Sequence, residues 1–201
     1  GNGGTQSINV GLNPDLVWIK NRSAAASNNF VDSVRGANKT LFADNTGSEN
    51  TDTNRLTDFT SNGFNIGSNN AVNGSGNNIV SWCWKAGGSK NTFNIDDVGY
   101  ASAAAAGITG LDGTGEMTTA KFLGCSIGTK QGFSIIKYRG LGGGNVKVPH
   151  GLSQTPNMVI VKNLDSTVDW AITHSGLPGN RALRFTTAGT STSGFLGLNK
   201  G

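Results

Sequence analysis

The chain has 201 residues, with 16 Lys and Arg against 12 Asp and Glu, a net charge of +4, and only 14% charged residues. The basic residues are scattered singly and form no stripe of the kind nucleic acids need, and no apolar run approaches the roughly 18 residues of a membrane span. Glycine, at 31 residues, is about double its ordinary usage, and with abundant Asn, Ser and Thr it disfavours long helices and favours short strands between turns.

In chain order, Ser7-Ile8-Asn9-Val10 alternates weakly as a strand and turns at Gly11 to Pro14. Next comes Pro14-Asp15-Leu16-Val17-Trp18-Ile19-Lys20-Asn21-Arg22, an apolar run that a proline opens and Lys-Asn closes, the pattern of a strand covered on both faces. This stretch returns 142 positions later as Pro156-Asn157-Met158-Val159-Ile160-Val161-Lys162-Asn163-Leu164. The same offset aligns Ser33 with Ser175, Asn38-Lys39-Thr40-Leu41 with Asn180-Arg181-Ala182-Leu183, and Gly47 with Gly189. A repeat without a gap over that span implies two copies of one β-module.

Within the first copy, strands are expected at Asn29 to Gly36 and Lys39 to Ala43, and a hairpin joins Leu56 to Thr60 with Gly63 to Gly67 through an Asn62-Gly63 left-handed turn. Asn69 to Asn78 reads as a polar loop. Ile79 to Lys85 closes the module, with Val80, Trp82 and Trp84 on one face as the centre of the core. Residues 89–131 break the pattern and are expected to be an irregular linker, with about one helical turn at Ala101 to Ala106 and a short strand at Phe122-Leu123. Gly132 to Tyr138 opens the second copy as a strand, followed by Asn145 to Val148, the repeated strand and Asp169 to Ser175. The expected fold is all-β, with tandem β-sandwich modules of jelly-roll or lectin-like form at residues 1–88 and 132–201, the second incomplete. The chain reads as a fragment of a longer repeat-bearing polypeptide.

Three stretches carry a resemblance: Pro14 to Arg22, Asp32-Ser33-Val34-Arg35-Gly36, and Ser81-Trp82-Cys83-Trp84-Lys85-Ala86-Gly87-Gly88. They resemble a module of structural proteins in tailed bacteriophages, particularly marine ones, and Gly132 to Tyr138 with His150-Gly151-Leu152 and Val159 to Asn163 resembles its next repeat. The resemblance implies a virion appendage protein, a tail or head fibre made in the host cytoplasm. Its partners would be other virion proteins, with homotrimerisation by analogy and a host-surface glycan as a further partner. It supplies no catalytic residues. The copies differ at Arg22 against Leu164 and at Asp32 against His174.

Reactive chemistry has few candidates. Asp96-Asp97 and Asp112 with Glu116 are the closest carboxylate pairs, as a polysaccharide depolymerase would need. Those groups, or Asp44 and Glu49, offer oxygen ligands to calcium, although no segment matches an alternating acidic loop. His150 and His174 lack a ligand neighbour at metal-binding spacing. Gly140 to Gly144 follows a strand without the Lys-Ser/Thr pair and helix start of a phosphate loop. Cys83 and Cys125 are expected to be buried free thiols. The Asn69 to Asn78 loop offers amides to sugar hydroxyls, and Trp18, Trp82 and Trp84 offer stacking faces but sit at strand positions that favour the core. The reading is therefore non-enzymatic, with no cofactor, no metal, no nucleic acid and no membrane; a lectin-like carbohydrate binder and a depolymerase are the alternatives.

Overall fold

The structure is a computed structural model that describes residues 1–108, 121–142, 146–177, 181–186 and 190–191. The strands of the first part are β1 (Gln6–Asn9), β2 (Leu16–Asn21), β3 (Asn29–Asp32), β4 (Lys39–Phe42), β5 (Asn50–Thr51), β6 (Leu56–Thr60), β7 (Gly63–Ile66) and β8 (Ile79–Trp84), with a one-turn helix α1 (Asn70–Asn73) before β8. Then follow β9 (Phe93–Ile95), β10 (Val98–Tyr100), β11 (Phe122–Gly128), β12 (Phe133–Tyr138), β13 (Met158–Val161), β14 (Ala171–His174), β15 (Ala182–Leu183) and β16 (Thr190–Ser191). The protein is an all-β, sandwich-type fold.

β2 is the hub of a five-stranded sheet in the order β5-β4-β3-β2-β8. Its odd residues Val17 and Ile19, with Val31 of β3, pack against Leu56, Phe64 and Ile66 of the three-stranded sheet β1-β7-β6, and Val72 of α1 closes the same cluster. Each such side chain contributes about 1.5–3 kcal/mol through removal from water. Its even residues Leu16 and Trp18 face the other way, where Phe30 and Leu41 meet Trp170, Phe133, Ile135 and Phe185 from the later part of the chain. The apolar run of β2 is thus covered on both faces.

The four-stranded sheet β10-β9-β11-β12 has one parallel pair, β9 with β11. β12 links two clusters by simple alternation: Phe133 and Ile135 join the cluster on the hub sheet, while Ile136 and Tyr138 join Phe93, Phe122, Cys125 and Ile127. Residues 89–131 are consequently not irregular throughout, since β9, β10 and β11 lie within them. The three-residue strands β9 and β10 are too short to show a period, and the two Asp between them read as polar loop. The small-residue run behaves as expected, with one turn closed by Ala106 N–H to Ser102 O at 3.1 Å.

The last sheet, β13-β14-β15-β16, places residues as the first does, 142 positions on. Leu16, Val17, Trp18 and Ile19 pair with Asp32, Val31, Phe30 and Asn29, and Met158, Val159, Ile160 and Val161 pair with His174, Thr173, Ile172 and Ala171. Phe30 with Leu41 likewise corresponds to Ile172 with Leu183. The repeated Lys-Asn has a local role. Asn21 Oδ1 accepts from the N–H of Ser23 and Ala24, as Asn163 Oδ1 does from Asp165 and Ser166. Lys20 Nζ donates to Ala26 O and Lys162 Nζ to Val168 O, so each Lys caps the loop that its Asn starts.

Three expectations about the strands of the first part need correcting. β3 ends at Asp32, with Ser33 to Arg35 in a turn, and does not run on to Gly36. The β6–β7 hairpin forms around Ser61 and Asn62, but neither Asn62 nor Gly63 has a positive φ. Gly63 is required for another reason: a Cβ there would stand 1.9 Å from Ile8 O of the neighbouring strand β1. Trp82 and Trp84 are not the core centre; they are 45% and 37% exposed. Alternation shows correctly that they share a face, yet β8 is the sheet's edge, and the cover on that face reaches only its inner strands. The aromatic centre is instead the buried pair Phe30 and Trp170 flanked by half-buried Trp18 and Phe185, with successive ring centroids 5.4–5.5 Å apart from Trp18 to Phe30, Phe30 to Trp170 and Trp170 to Phe185.

Candidate functional site

The Asn-rich segment after β7 folds tightly. Asn69 caps α1 by accepting from Ala71 N–H at 2.9 Å, and its amide donates to Asp52. Asn73 is fully buried and donates to Gly67 O at 3.1 Å while its Oδ1 accepts from Asn2 N–H at 2.9 Å. Asn70 O accepts from the buried Asn21 amide at 2.9 Å. The side chains of Asn69 and Asn73 are committed to the fold, whereas Asn70 is held there by its backbone carbonyl and is itself exposed. The expectation of a plain loop misses α1 because four residues cannot show a helical period.

Asn77 and Asn78, at the end of the segment, stand at the mouth of a cleft of about 340 Å³ where β1 and β8 part at one side of the sandwich. Its floor is Ile8, Ile19, Phe64, Ile66 and Ile79, and its polar rim is Gln6, Asn77, Asn78 and Ser81. No side chain lining it is ionisable. Such a cleft suits a neutral ligand with hydroxyl groups, whose polar edges meet the rim amides and whose C–H faces meet the aliphatic floor. The N-terminal ammonium of Gly1, which donates to Asn77 O at 2.7 Å, also lines it.

The carboxylates proposed for catalysis serve a turn. Asp96 and Asp97 are the two residues between β9 and β10, at φ 46° and 68°, the left-handed pair of a type I′ hairpin. Asp96 accepts from the hydroxyl of Thr129 at 2.5 Å and its N–H at 2.8 Å; the hydroxyl bond is the main reason its carboxyl lies below the usual range. A general acid needs the opposite shift. Asp97 pairs with Lys85. Asp112 and Glu116 lie outside the described residues, as do Gly143 and Gly144 of the glycine run.

The model of one protein family, described as a domain of unknown function (DUF7483), matches residues 1–124 and again residues 103–200. The chain belongs to the DUF7483 family. No curated protein and no solved structure matches it.

The remaining candidates of this DUF7483 chain are spread over the fold. Glu49 bonds Arg35 at 3.3 Å and approaches Lys39 at 3.8 Å; Asp44 accepts from Asn28 N–H at 3.0 Å. His150 Nδ1 accepts from Leu152 N–H and His174 Nδ1 from Gly176 N–H, both at 3.0 Å, so each holds its own turn. Among the described residues no three His, Cys, Asp or Glu converge as a metal site. Cys125 is buried and Cys83 half-buried, both free, and burial pushes both thiols up. Among the described residues no helix is long and apolar enough to cross a membrane.

Sequence reasoning did not single out Asp15. Its carboxylate has no exposure, yet it accepts from Ser33 Oγ at 2.8 Å, Ala86 N–H at 2.7 Å and Gly88 N–H at 3.1 Å, with Lys85 Nζ 3.6 Å away. Gly87 N–H donates in turn to Ser126 Oγ of β11 at 2.9 Å. The Lys-Ala-Gly-Gly sequence is therefore a joint between two sheets, and the only early sign of it is its position just after a strand.

Proposed function

We propose that this chain is a non-enzymatic building unit of an extended virion appendage, a tail or head fibre, formed by two copies of one β-module. The observation that carries the reading is the shared strand register at the 142-residue offset, reaching to the Lys-Asn loop caps. The resemblance of Pro14 to Arg22 and Ser81 to Gly88 to phage structural modules supplies the setting. In it the protein is made in the host cytoplasm, resides in the particle, contacts other virion proteins, and assembles as a trimer by analogy with fibres. Imaging of the purified protein by electron microscopy tests the reading. Rods or fibres, and a place on the particle, are expected; isolated globular monomers with no place on any particle would remove it.

A second reading is favoured by the cleft between β1 and β8: binding of a neutral host-surface glycan, with Asn77 and Asn78 supplying hydrogen bonds over an aliphatic floor. A glycan array should give hits that Asn77→Ala and Asn78→Ala together abolish. Hits that survive both changes would move the glycan elsewhere.

A further inference from the structure

The cleft between β1 and β8 has its origin in what the two strands turn inward. Along β8, Ile79, Ser81 and Cys83 alternate with Val80, Trp82 and Trp84, and Ile79 and Cys83 pack against the cluster that holds Val17, Ile19 and Phe64. Ser81 is thus a short polar residue in an inward row that is otherwise apolar, and its hydroxyl bonds the Cys83 thiol. Across the gap, Ile8 of β1 packs against the same cluster and Gln6 stands beside it on the rim. A branched aliphatic side chain at position 81 would reach into the space; serine leaves it open. The result is an aliphatic wall from Ile8 and Ile79 under a rim of amides from Gln6, Asn77 and Asn78. Among the described residues none bonds these three side-chain amides, in contrast to Asn69 and Asn73. Each of the three therefore offers both a carbonyl acceptor and an N–H donor.

We propose that this cleft takes a 2-acetamido sugar, an N-acetylhexosamine, and that the acetamido group is the part that enters. The inference deepens the glycan reading given above and rests on it. An acetamido group joins three features in one planar unit: an N–H donor, a carbonyl acceptor and a methyl group. The rim amides accept from the first and donate to the second, while the methyl lies on Ile8 and Ile79. A sugar with hydroxyls alone gives the rim its partners but presents to the wall only the C–H edges of its ring. Stacking of that ring does not make up the difference, because the aromatic residue in the floor, Phe64, is 2% exposed and shows no face. Burial of one methyl is worth about fourfold in affinity, and an added amide hydrogen bond a similar factor. The acetamido sugar should therefore bind about tenfold or more tightly than the same sugar with a hydroxyl at that position. A volume of about 340 Å³ is at the small end of ligand sites and suits a terminal sugar residue.

The test is saturation-transfer NMR on the 201-residue chain with the methyl glycosides of N-acetylglucosamine, N-acetylgalactosamine and glucose. At least one acetamido sugar is expected to bind about tenfold or more tightly than the glucoside, with the strongest saturation on its acetyl methyl. Ser81→Ile should fill the gap and abolish that binding while leaving the urea-unfolding midpoint no lower, since a β-branched residue suits the strand. Asn77→Ala with Asn78→Ala, at two amides that hold no part of the fold, should weaken binding about tenfold or more by a separate route. Equal binding of the glucoside would overturn the acetamido proposal and leave the glycan reading standing. Absence of binding by all three sugars would overturn the proposal, and the glycan array then decides the broader reading by itself. Acetamido-sugar binding that survives both Ser81→Ile and the double change would overturn it as well, because the sugar would then sit outside the cleft.

Discussion

The Ser33 hydroxyl donates to a carboxylate oxygen of Asp15 at 2.8 Å, and Asp15 itself has no exposure to water. Its counterpart bond, Ser175 Oγ to Asn157 Oδ1 at 3.1 Å, is exposed. One bond therefore occurs in two electrostatic settings. A buried carboxylate that accepts two backbone N–H groups and a hydroxyl leaves all three unsatisfied when it is removed. Asp15→Ala should cost about 3 kcal/mol, and Asn157→Ala less than about 1 kcal/mol. Urea unfolding of both variants checks the contrast, and equal midpoints would refute it.

The tryptophans should divide in the same way. Trp170 sits in the aromatic cluster and donates from Nε1 to Phe42 O at 3.0 Å, joining the later strands to the hub sheet. Trp170→Ala should destabilise by about 3–5 kcal/mol, because it opens a cavity and removes the indole bond to the Phe42 carbonyl. Trp82 touches Trp18 at a centroid distance of 5.4 Å but is 45% exposed, so Trp82→Ala should cost about 1 kcal/mol. Acrylamide should quench Trp82 and Trp84 readily and Trp170 hardly at all; uniform quenching would count against this division.

These contrasts show what a period of two can reveal. It marked the strand from Leu16 to Lys20 and its two covered faces, and the offset aligned the strand register of the last sheet with that of the hub sheet down to the Lys-Asn pair. It could not tell an edge from a centre. Trp82 and Trp84 share a face with Leu16 and Trp18, and only the position of β8 in the sheet decides their exposure. Nor could it find β9 and β10, three residues each, or the parallel pairing of β9 with β11, which depends on contacts distant in sequence. For the cleft, the Asn-rich run was legible as a polar segment. Which of its amides are free was not, because Asn69 is spent on the cap of α1 and Asn73 on a buried contact with Asn2, 71 positions away, that appears only in the fold.

The thiols give a pH-dependent prediction. Burial raises Cys125 and Cys83 above their ordinary value in the folded chain, so between the unfolded and folded values the native state holds more protons. Their contribution to stability is complete below about pH 8.5, the unfolded thiol value, and falls as the pH rises above it. Thermal unfolding temperatures should therefore decline from pH 8 to pH 10 by less in the Cys125→Ala variant than in the unaltered chain. Labelling by a thiol reagent at pH 8 should be slow at Cys125 and faster at half-buried Cys83. Rapid labelling of Cys125 in the native protein would contradict the buried placement.

The joint at Gly87 gives the sharpest steric test. A Cβ at this position would lie 2.3 Å from Ile127 O, 2.4 Å from Ile127 N and 2.7 Å from Asn94 O, all backbone atoms of β9 and β11. Backbone atoms of two paired strands cannot give way as a flexible side chain can. Gly87→Ala should therefore push the Asp15 clamp away from β11 and cost about 3 kcal/mol or more. Gly140, with nothing within 4 Å of its Cβ position, is the control, and Gly140→Ala should fall within about 0.5 kcal/mol of the unaltered chain. Because Gly87 N–H also donates to Ser126 Oγ, Ser126→Ala should reproduce part of the Gly87→Ala loss. The double variant should lose less than the sum of the two, since both changes act on one joint. Strict additivity in urea unfolding would mean that the Lys-Ala-Gly-Gly segment does not couple the hub sheet to β11.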